Sequence, residues 1–291
     1  MIGKADSSQV TGTASSGDAT FKIDDVAEEA AVRFIIRRKL DAACYTEHAG
    51  LRTFGKPEVA LVIDPIDGSR GAKSGFECCV VSVAVAAYRD DVRIADVLAA
   101  CVHEIKEDRV FVAQRGEGVK VTLNGKRVHC AKSDATNINR AAWTAEFVGR
   151  PPELTARVLR DAIGASGIQG GFFVLNSTAY SLTRLVNGQL SAVVDVGGRI
   201  LSDVPRAVEL FRRAGRGQVV GLFPHDFAAA ALIAQEAGCV VTDAHGKSLD
   251  DVYLLDSSES NVQSLVAACN GELHSEFIRL VSDGFAKTGP T

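Results

Sequence analysis

A run of apolar residues, Leu61 to Ile63, ends in two aspartates that flank a Pro-Ile step: LVIDPIDGSRG, residues 61–71. A buried strand that finishes in paired carboxylates must sit where something offsets their charge. Two such groups held close repel each other unless a cation or a shared proton intervenes. Hard divalent ions such as Mg²⁺ are the natural candidates, since they prefer carboxylate and carbonyl oxygens. Proline suits the second position of a β-turn, so the motif predicts a turn aiming Asp64, Asp67 and the Ile66 carbonyl at one point. Taken alone, DPIDG suits a metal-holding turn and a strand-ending turn with two solvated aspartates equally well.

The surrounding chain predicts a mixed α and β protein. Residues 1–20 are rich in Ser, Gly and Thr and read as a mobile leader or loop. Asp24 and Asp25 are placed to cap a helix, with Glu28 completing a box and Ala27 to Leu40 supplying helical periodicity. Val59 to Ile63 and Val80 to Tyr88 read as strands, strand-like runs continue to residue 123, and Asn124-Gly125 marks a hairpin. Pro151-Pro152 then opens a helix to about Ile163. Helices at 176–187, 204–214 and 226–237 alternate with strands at LSAVVDV, CVVTD and SLVAAC, and a helix ends the chain. This order predicts an α+β first half and an α/β second half. We place a soft boundary near 133–150, giving a metal-binding half (1–140) and a substrate-side half (141–291) of one catalytic unit.

Composition narrows the function. A chain of 291 residues with 46% hydrophobic and 23% charged residues is an ordinary globular one. Its formal net charge of -4 argues against a nucleic-acid partner. No apolar window is long enough to span a membrane, and the N-terminus lacks a signal-peptide core. The seven cysteines follow neither zinc-ligand nor redox spacing. They read as reduced core residues of a cytoplasmic protein.

Three further acids stand at element edges: Glu47 in CYTEHAG, Asp24, and Asp226 in FPHDFAAAALIAQEAG. Singly, Asp24 and Asp226 read as plain helix caps. In combination, a Glu in a short turn, then DPIDG[ST], then a distant Asp opening an Ala-rich helix that ends in EAG resembles the inositol monophosphatase superfamily. GTASSGDATFKIDDVAEE, LNGKRVHCAKSD and NSTAYSLTRLVNGQLSAVVDV are similar to further segments of its archaeal-type inositol- and fructose-bisphosphate-phosphatase group, so the resemblance covers about residues 11–270.

That resemblance implies a layered αβαβα sandwich and a phosphate monoesterase acting on a small polyol or sugar phosphate by direct attack of a metal-activated water. Glu47, Asp64, Asp67 and Asp226, with the Ile66 carbonyl, would hold two or three Mg²⁺ ions. Ser69 and Asp24 would orient the attacking water, and Gly68 and Ser69 would donate backbone N–H groups to the phosphate. Asn176, Ser177, Thr178 and Ala179 match the segment facing the organic part of the substrate, and Asp195 matches an acid that binds substrate hydroxyls. Lithium sensitivity and a homodimer are implied as well. Inositol monophosphate and fructose 1,6-bisphosphate are the first substrates to consider. A 3′-phosphonucleotide and a non-catalytic phosphometabolite-binding role are the alternatives.

The chain also departs from the family pattern. His48 stands where a second acid is common, and His225 where an aromatic residue precedes the last metal ligand. Arg70 and Lys73 put positive charge just after the motif. The insertion at 197–224 carries Arg199, Arg206, Arg212, Arg213 and Arg216, which suit either a basic lid over a second phosphate or a solvated amphipathic helix. The leader is expected to order over the site.

Overall fold

The structure, a computed structural model, describes residues 9–14 and 16–288. The leader, read as a loop, carries a hairpin within the described residues: β1 (Val10–Thr13) pairs antiparallel with β2 (Ala19–Phe21). Residues 1–8 and 15 lie outside the described residues. Helix α1 (Lys22–Arg38) starts three residues earlier than a cap at Asp24 would put it. Asp24 is its third residue rather than its cap, and its Oδ2 accepts the backbone N–H of Phe21 at 2.8 Å. Glu28 completes no box; it accepts a hydrogen bond from Thr46.

Next come β3 (Ala42–Thr46), β4 (Gly50–Phe54) and β5 (Val59–Asp67). The short α2 (Ser69–Ser74) leads to β6 (Val80–Ala87), β7 (Val97–Glu104), β8 (Arg109–Gln114), β9 (Val119–Leu123) and β10 (Lys126–Val128). They form an eight-stranded sheet in the order β10-β9-β8-β7-β6-β5-β3-β4. The ladder is antiparallel except where β3 and β5 run parallel. β6 alternates buried and partly exposed residues, the period of a strand. Asn124 and Gly125 both take positive φ, as a two-residue hairpin turn requires.

In the second half, β11 (Ala142–Ala145), α3 (Pro152–Ser166), β12 (Gly171–Phe173) and α4 (Thr178–Val186) precede β13 (Ala192–Asp195). The insertion folds as α5 (Gly197–Asp203) and α6 (Ala207–Ala214), followed by α7 (Pro224–Glu236), β14 (Val240–Thr242), β15 (Leu265–Ala268) and α8 (Gly271–Thr288). Their five-stranded sheet is ordered β12-β11-β13-β15-β14. β11 runs parallel to both its neighbours, and β15 antiparallel to both of its own. Strands β3, β4, β11 and β12 escaped the sequence reading because they are short and carry no clear alternation.

Helices α4 and α7 lie between the two sheets, α1 and α2 beside the outer face of the first, and α3 and α8 against the outer face of the second. The result is the expected αβαβα sandwich. Helix α7 is buried on almost every side, which explains why DFAAAALIAQ is apolar all round rather than on one stripe. Its small alanines let it sit against both sheets.

One buried ion pair fixes α4 in this layer. Arg184 donates to Glu104 at the end of β7, and its guanidinium stacks 4.2 Å from the Tyr180 ring centroid. Both charged groups are almost completely buried, so removing one strands the other. Arg184→Ala is expected to destabilise the fold by about 3 kcal/mol, since Glu104 keeps only the more distant Arg109. The urea midpoint at unchanged m-value measures this, and Arg184→Met/Glu104→Gln should recover much of the loss.

Candidate active site

The DPID segment is a bulge inside β5, not a turn after it. β5 pairs with β6 at Asp64↔Ser82 and again at Asp67↔Val80, with the register shifted between them. Proline has no N–H to give the ladder, so the strand bows out at Pro65–Ile66 and both aspartates turn the same way. The Ile66 N–H returns to Asp64 Oδ1 at 3.0 Å and fixes that carboxylate. Gly68 then takes a left-handed φ of 87°. A Cβ there would stand 2.3 Å from the Cys78 carbonyl oxygen, so only glycine fits.

Asp64, Asp67 and Asp226 meet across the middle of the sandwich. One carboxylate oxygen of each lies within 4.8 Å of those of the other two. Asp226 arrives from α7, which repeats the local device of α1: it stands third in the helix, and its Oδ2 accepts the Phe223 N–H at 2.7 Å. Like Asp24, it is not the cap that the sequence suggested. One oxygen is thereby tied to the helix start and the other is left for the cleft.

Asp67 is held from the far side by the start of α4. Its Oδ2 accepts the Ala179 N–H at 2.6 Å and the Ser177 hydroxyl at 2.8 Å. Ser177 and Ala179, expected against the substrate, therefore orient Asp67. Thr178 lines the cleft, as do Glu47, Gly68 and Ser69. Glu47, at the β3–β4 turn, accepts the Ser16 hydroxyl at 2.6 Å. Ser69 donates to Asp24 Oδ1 at 2.6 Å and also lies 3.0 Å from the Ile66 carbonyl oxygen. The expected water-orienting pair is thus in direct contact. His48 stands 3.7 Å from both Asp24 and Glu47. Burial disfavours its charged ring, but those two acids outweigh this and raise its pKa.

Asp195 is brought near the site but not into the cleft lining. Its Oδ2 pairs with Arg150 and its Oδ1 accepts the Gly197 N–H at 2.7 Å. Sequence reasoning missed Arg150 and Glu146, which do line the cleft, because AEFVGR was taken as a boundary segment. An acid directly after the buried strand β11, in AWTAEF, was the available signal. It also missed Ser16 and Asp18, carried in by the leader hairpin. Asp18 forms a two-pronged pair with Arg70 at 2.6 and 2.8 Å.

The other departures are also placed. His225 is sandwiched between Phe223 and Tyr45 and lies 3.5 Å from Asp226. Burial lowers its pKa and keeps the ring neutral. Lys73 sits over the Phe21 ring. No arginine of the insertion lines the acid cleft. Arg199 points back to Ala244 and Ser282, Arg212 pairs with Glu259, and Arg206 and Arg213 are exposed. Arg216 lines a neighbouring groove.

Electrostatically the cluster is unfavourable on its own. Burial, reinforced by Asp226, raises the Asp67 pKa to about 7. Burial likewise raises Asp226 to about 7 and Glu146 to about 8. Asp64 and Glu47 are also pushed up, first by burial and then by neighbouring acids. Convergent acceptor-only oxygens with raised proton affinity fit a hard divalent cation.

The comparisons with known proteins agree with this geometry. The model of the inositol monophosphatase family matches residues 3–284. The chain belongs to the inositol monophosphatase family. It is 27% identical over 250 residues to a fructose-1,6-bisphosphatase from Pyrococcus furiosus, covering 86% of this chain and 80% of the relative. It is 25% identical over 289 residues to a fructose-1,6-bisphosphatase/inositol-1-monophosphatase from Methanothermobacter thermautotrophicus, covering 96% and 89% respectively. The solved structure of the extragenic suppressor protein suhB from Bartonella henselae shares the fold with a TM-score of 0.70 at 18% identity, over 95% of this chain and 91% of that one. The family is one of metal-dependent phosphatases, typically with Mg²⁺.

The raised carboxyl pKa values set a sign for pH dependence. In metal-free protein these groups bind protons more tightly folded than unfolded, so their contribution to stability is lost as pH rises from about 4 through the folded values near 7. The metal-free melting temperature is expected to fall between about pH 5 and about pH 8, and Mg²⁺ should raise it more at the higher pH. Scanning calorimetry checks both, and Asp226→Asn should flatten the difference.

Proposed function

We propose that the protein is a Mg²⁺-dependent phosphate monoesterase for a small polyol or sugar phosphate, as family membership and the names of its relatives support. The observation that carries this reading is the convergence of Asp64, Asp67 and Asp226 beside the Ser69–Asp24 pair. Glu47, Asp64, Asp67, Asp226 and the Ile66 carbonyl would hold two or three Mg²⁺ ions. Bound there, the ions supply charge neutralisation for a phosphoryl group and a lowered pKa for water.

The chain's own residues do the rest. Ser69, donating to Asp24, leaves its hydroxyl oxygen as an acceptor that orients a water for in-line attack on phosphorus. Asp24, fixed by the Phe21 N–H, keeps that hydroxyl turned. Gly68 and Ser69 present backbone N–H groups to phosphate oxygens, and Gly68 has no side chain to obstruct them. Thr178, beside the Asp67 anchor, borders the organic part of the substrate. Ser177 and Ala179 act through Asp67, and Asp195 acts through Arg150. No protein nucleophile is required: none of the cysteines lines the cleft.

Further features of the reading rest on the family resemblance and on composition. A homodimer and inhibition by Li⁺ follow the resemblance. All seven cysteines are unpaired, which suits a reducing cytoplasm. No helix among the described residues is long and apolar enough to cross a membrane.

Phosphate release from inositol 1-phosphate, fructose 1,6-bisphosphate and 3′-phosphoadenosine 5′-phosphate, with EDTA and Li⁺ as controls, tests the proposal. Asp67→Asn should lower kcat/KM by more than about 100-fold, and Ser177→Ala should weaken Mg²⁺ dependence by about 10-fold or more. Full activity in EDTA, or in Asp67→Asn, would refute it.

A further inference from the structure

The cleft also carries two buried acceptors that no described residue satisfies. Glu146 follows β11 directly, is 5% exposed, and lines the cleft. Its Oε1 is buried with no hydrogen-bond partner among the described residues, and the same holds for the Asn176 amide oxygen just ahead of α4. Asn176 also lines the cleft, and it is held at a positive φ of 53°. A buried acceptor without a donor keeps the full desolvation penalty of that group. Two of them lining one cleft imply a ligand that supplies donors.

The cations point the same way. Two arginines line the cleft and each carries an ion pair, Arg70 with Asp18 and Arg150 with Asp195. The Arg150 Nε–H is buried with no acceptor among the described residues and suits a hydroxyl oxygen. Arg150 also donates to the Val148 carbonyl at 2.6 Å. A second phosphate entering here would meet two buried acceptors and guanidiniums whose charge is already offset by paired carboxylates. A phosphate dianion cannot donate a hydrogen bond, whereas a hydroxyl both donates and accepts. Lys73 and Arg216 do lie beyond Arg70, but in the adjoining groove, which neither Glu146 nor Asn176 lines.

We propose that Glu146 and the Asn176 amide bind hydroxyl groups on the organic part of the substrate, so that the cleft selects the monophosphate of a neutral polyol over a bisphosphate. This rests on the phosphatase reading above and assigns its specificity. Glu146 thereby takes the role that the resemblance gives to Asp195, whose two oxygens are committed elsewhere.

The test compares kcat/KM for inositol 1-phosphate, fructose 1,6-bisphosphate and p-nitrophenyl phosphate, which has no hydroxyls to offer. Wild type, Glu146→Ala and Glu146→Gln are assayed at saturating Mg²⁺, with Mg²⁺ affinity measured by calorimetry in parallel. The wild type is expected to favour inositol 1-phosphate over the bisphosphate. Glu146→Ala should lower the inositol 1-phosphate to p-nitrophenyl phosphate ratio by about 10–100-fold, mainly through KM, with Mg²⁺ affinity unchanged. Glu146→Gln, which retains an acceptor oxygen, should recover most of that ratio.

Equal losses on both monoesters would overturn the proposal, as would weakened Mg²⁺ binding in Glu146→Ala or a wild-type preference for the bisphosphate. Absence of Mg²⁺-dependent turnover of all three esters by the wild type would instead overturn the phosphatase reading, and this assignment with it.

Discussion

Like-charge repulsion among buried carboxylates is the constraint to which the site's architecture answers. Asp64, Asp67 and Asp226 come from two elements far apart in sequence, and each is expensive to bury as an anion. The fold holds each by one oxygen and leaves another open. Asp64 is tied to the Ile66 N–H, Asp67 to the start of α4, and Asp226 to the start of its own helix. Asp24 repeats the helix-start arrangement on the other side of the cleft. These anchors lower carboxyl pKa values, yet burial wins, which is why the cluster keeps a demand for cations.

The sandwich supplies rigidity where these anchors need it. Helix α4 can hold Asp67 only if its own position is fixed, and the Arg184–Glu104 pair locks it to β7. Helix α7 can present Asp226 only because its alanines let it lie between two sheets. A link thus runs from small side chains in DFAAAALIAQ, through close packing, to the placement of one carboxylate oxygen. The bulge in β5 performs the same service within a strand, at the position where proline cannot pair.

Much of this was legible in the sequence, and the parts that were not share physical causes. The acids at 24, 47, 64, 67 and 226 could be read because their residue types, order and flanking glycine and alanine patterns are local. The long helices could be read for the same reason. Helix caps went wrong at Asp24 and Asp226 because an acid at the first or the third position leaves the same local pattern, and tertiary packing decides between them. Asp195 was placed against substrate because a strand-end acid looks available; only the fold shows that Arg150, 45 residues earlier, has taken it. Ser16, Asp18 and Glu146 enter the cleft through long-range closure, and the leader's glycine-serine texture concealed a hairpin. The arginines of the insertion suited a lid as well as a solvated helix because charge composition does not reveal direction.

The central place of α7 also bears on how the chain assembles as it is made. The eight-stranded sheet is complete in sequence at residue 128, but the helix that covers its inner face begins at Pro224. Nearly a hundred residues must therefore emerge from the ribosome before that face is fully covered. The acid cluster is likewise incomplete until Asp226 arrives. The first half is thus a poor candidate for independent folding during synthesis. A stalled or truncated nascent chain would present an apolar sheet face for aggregation or chaperone capture.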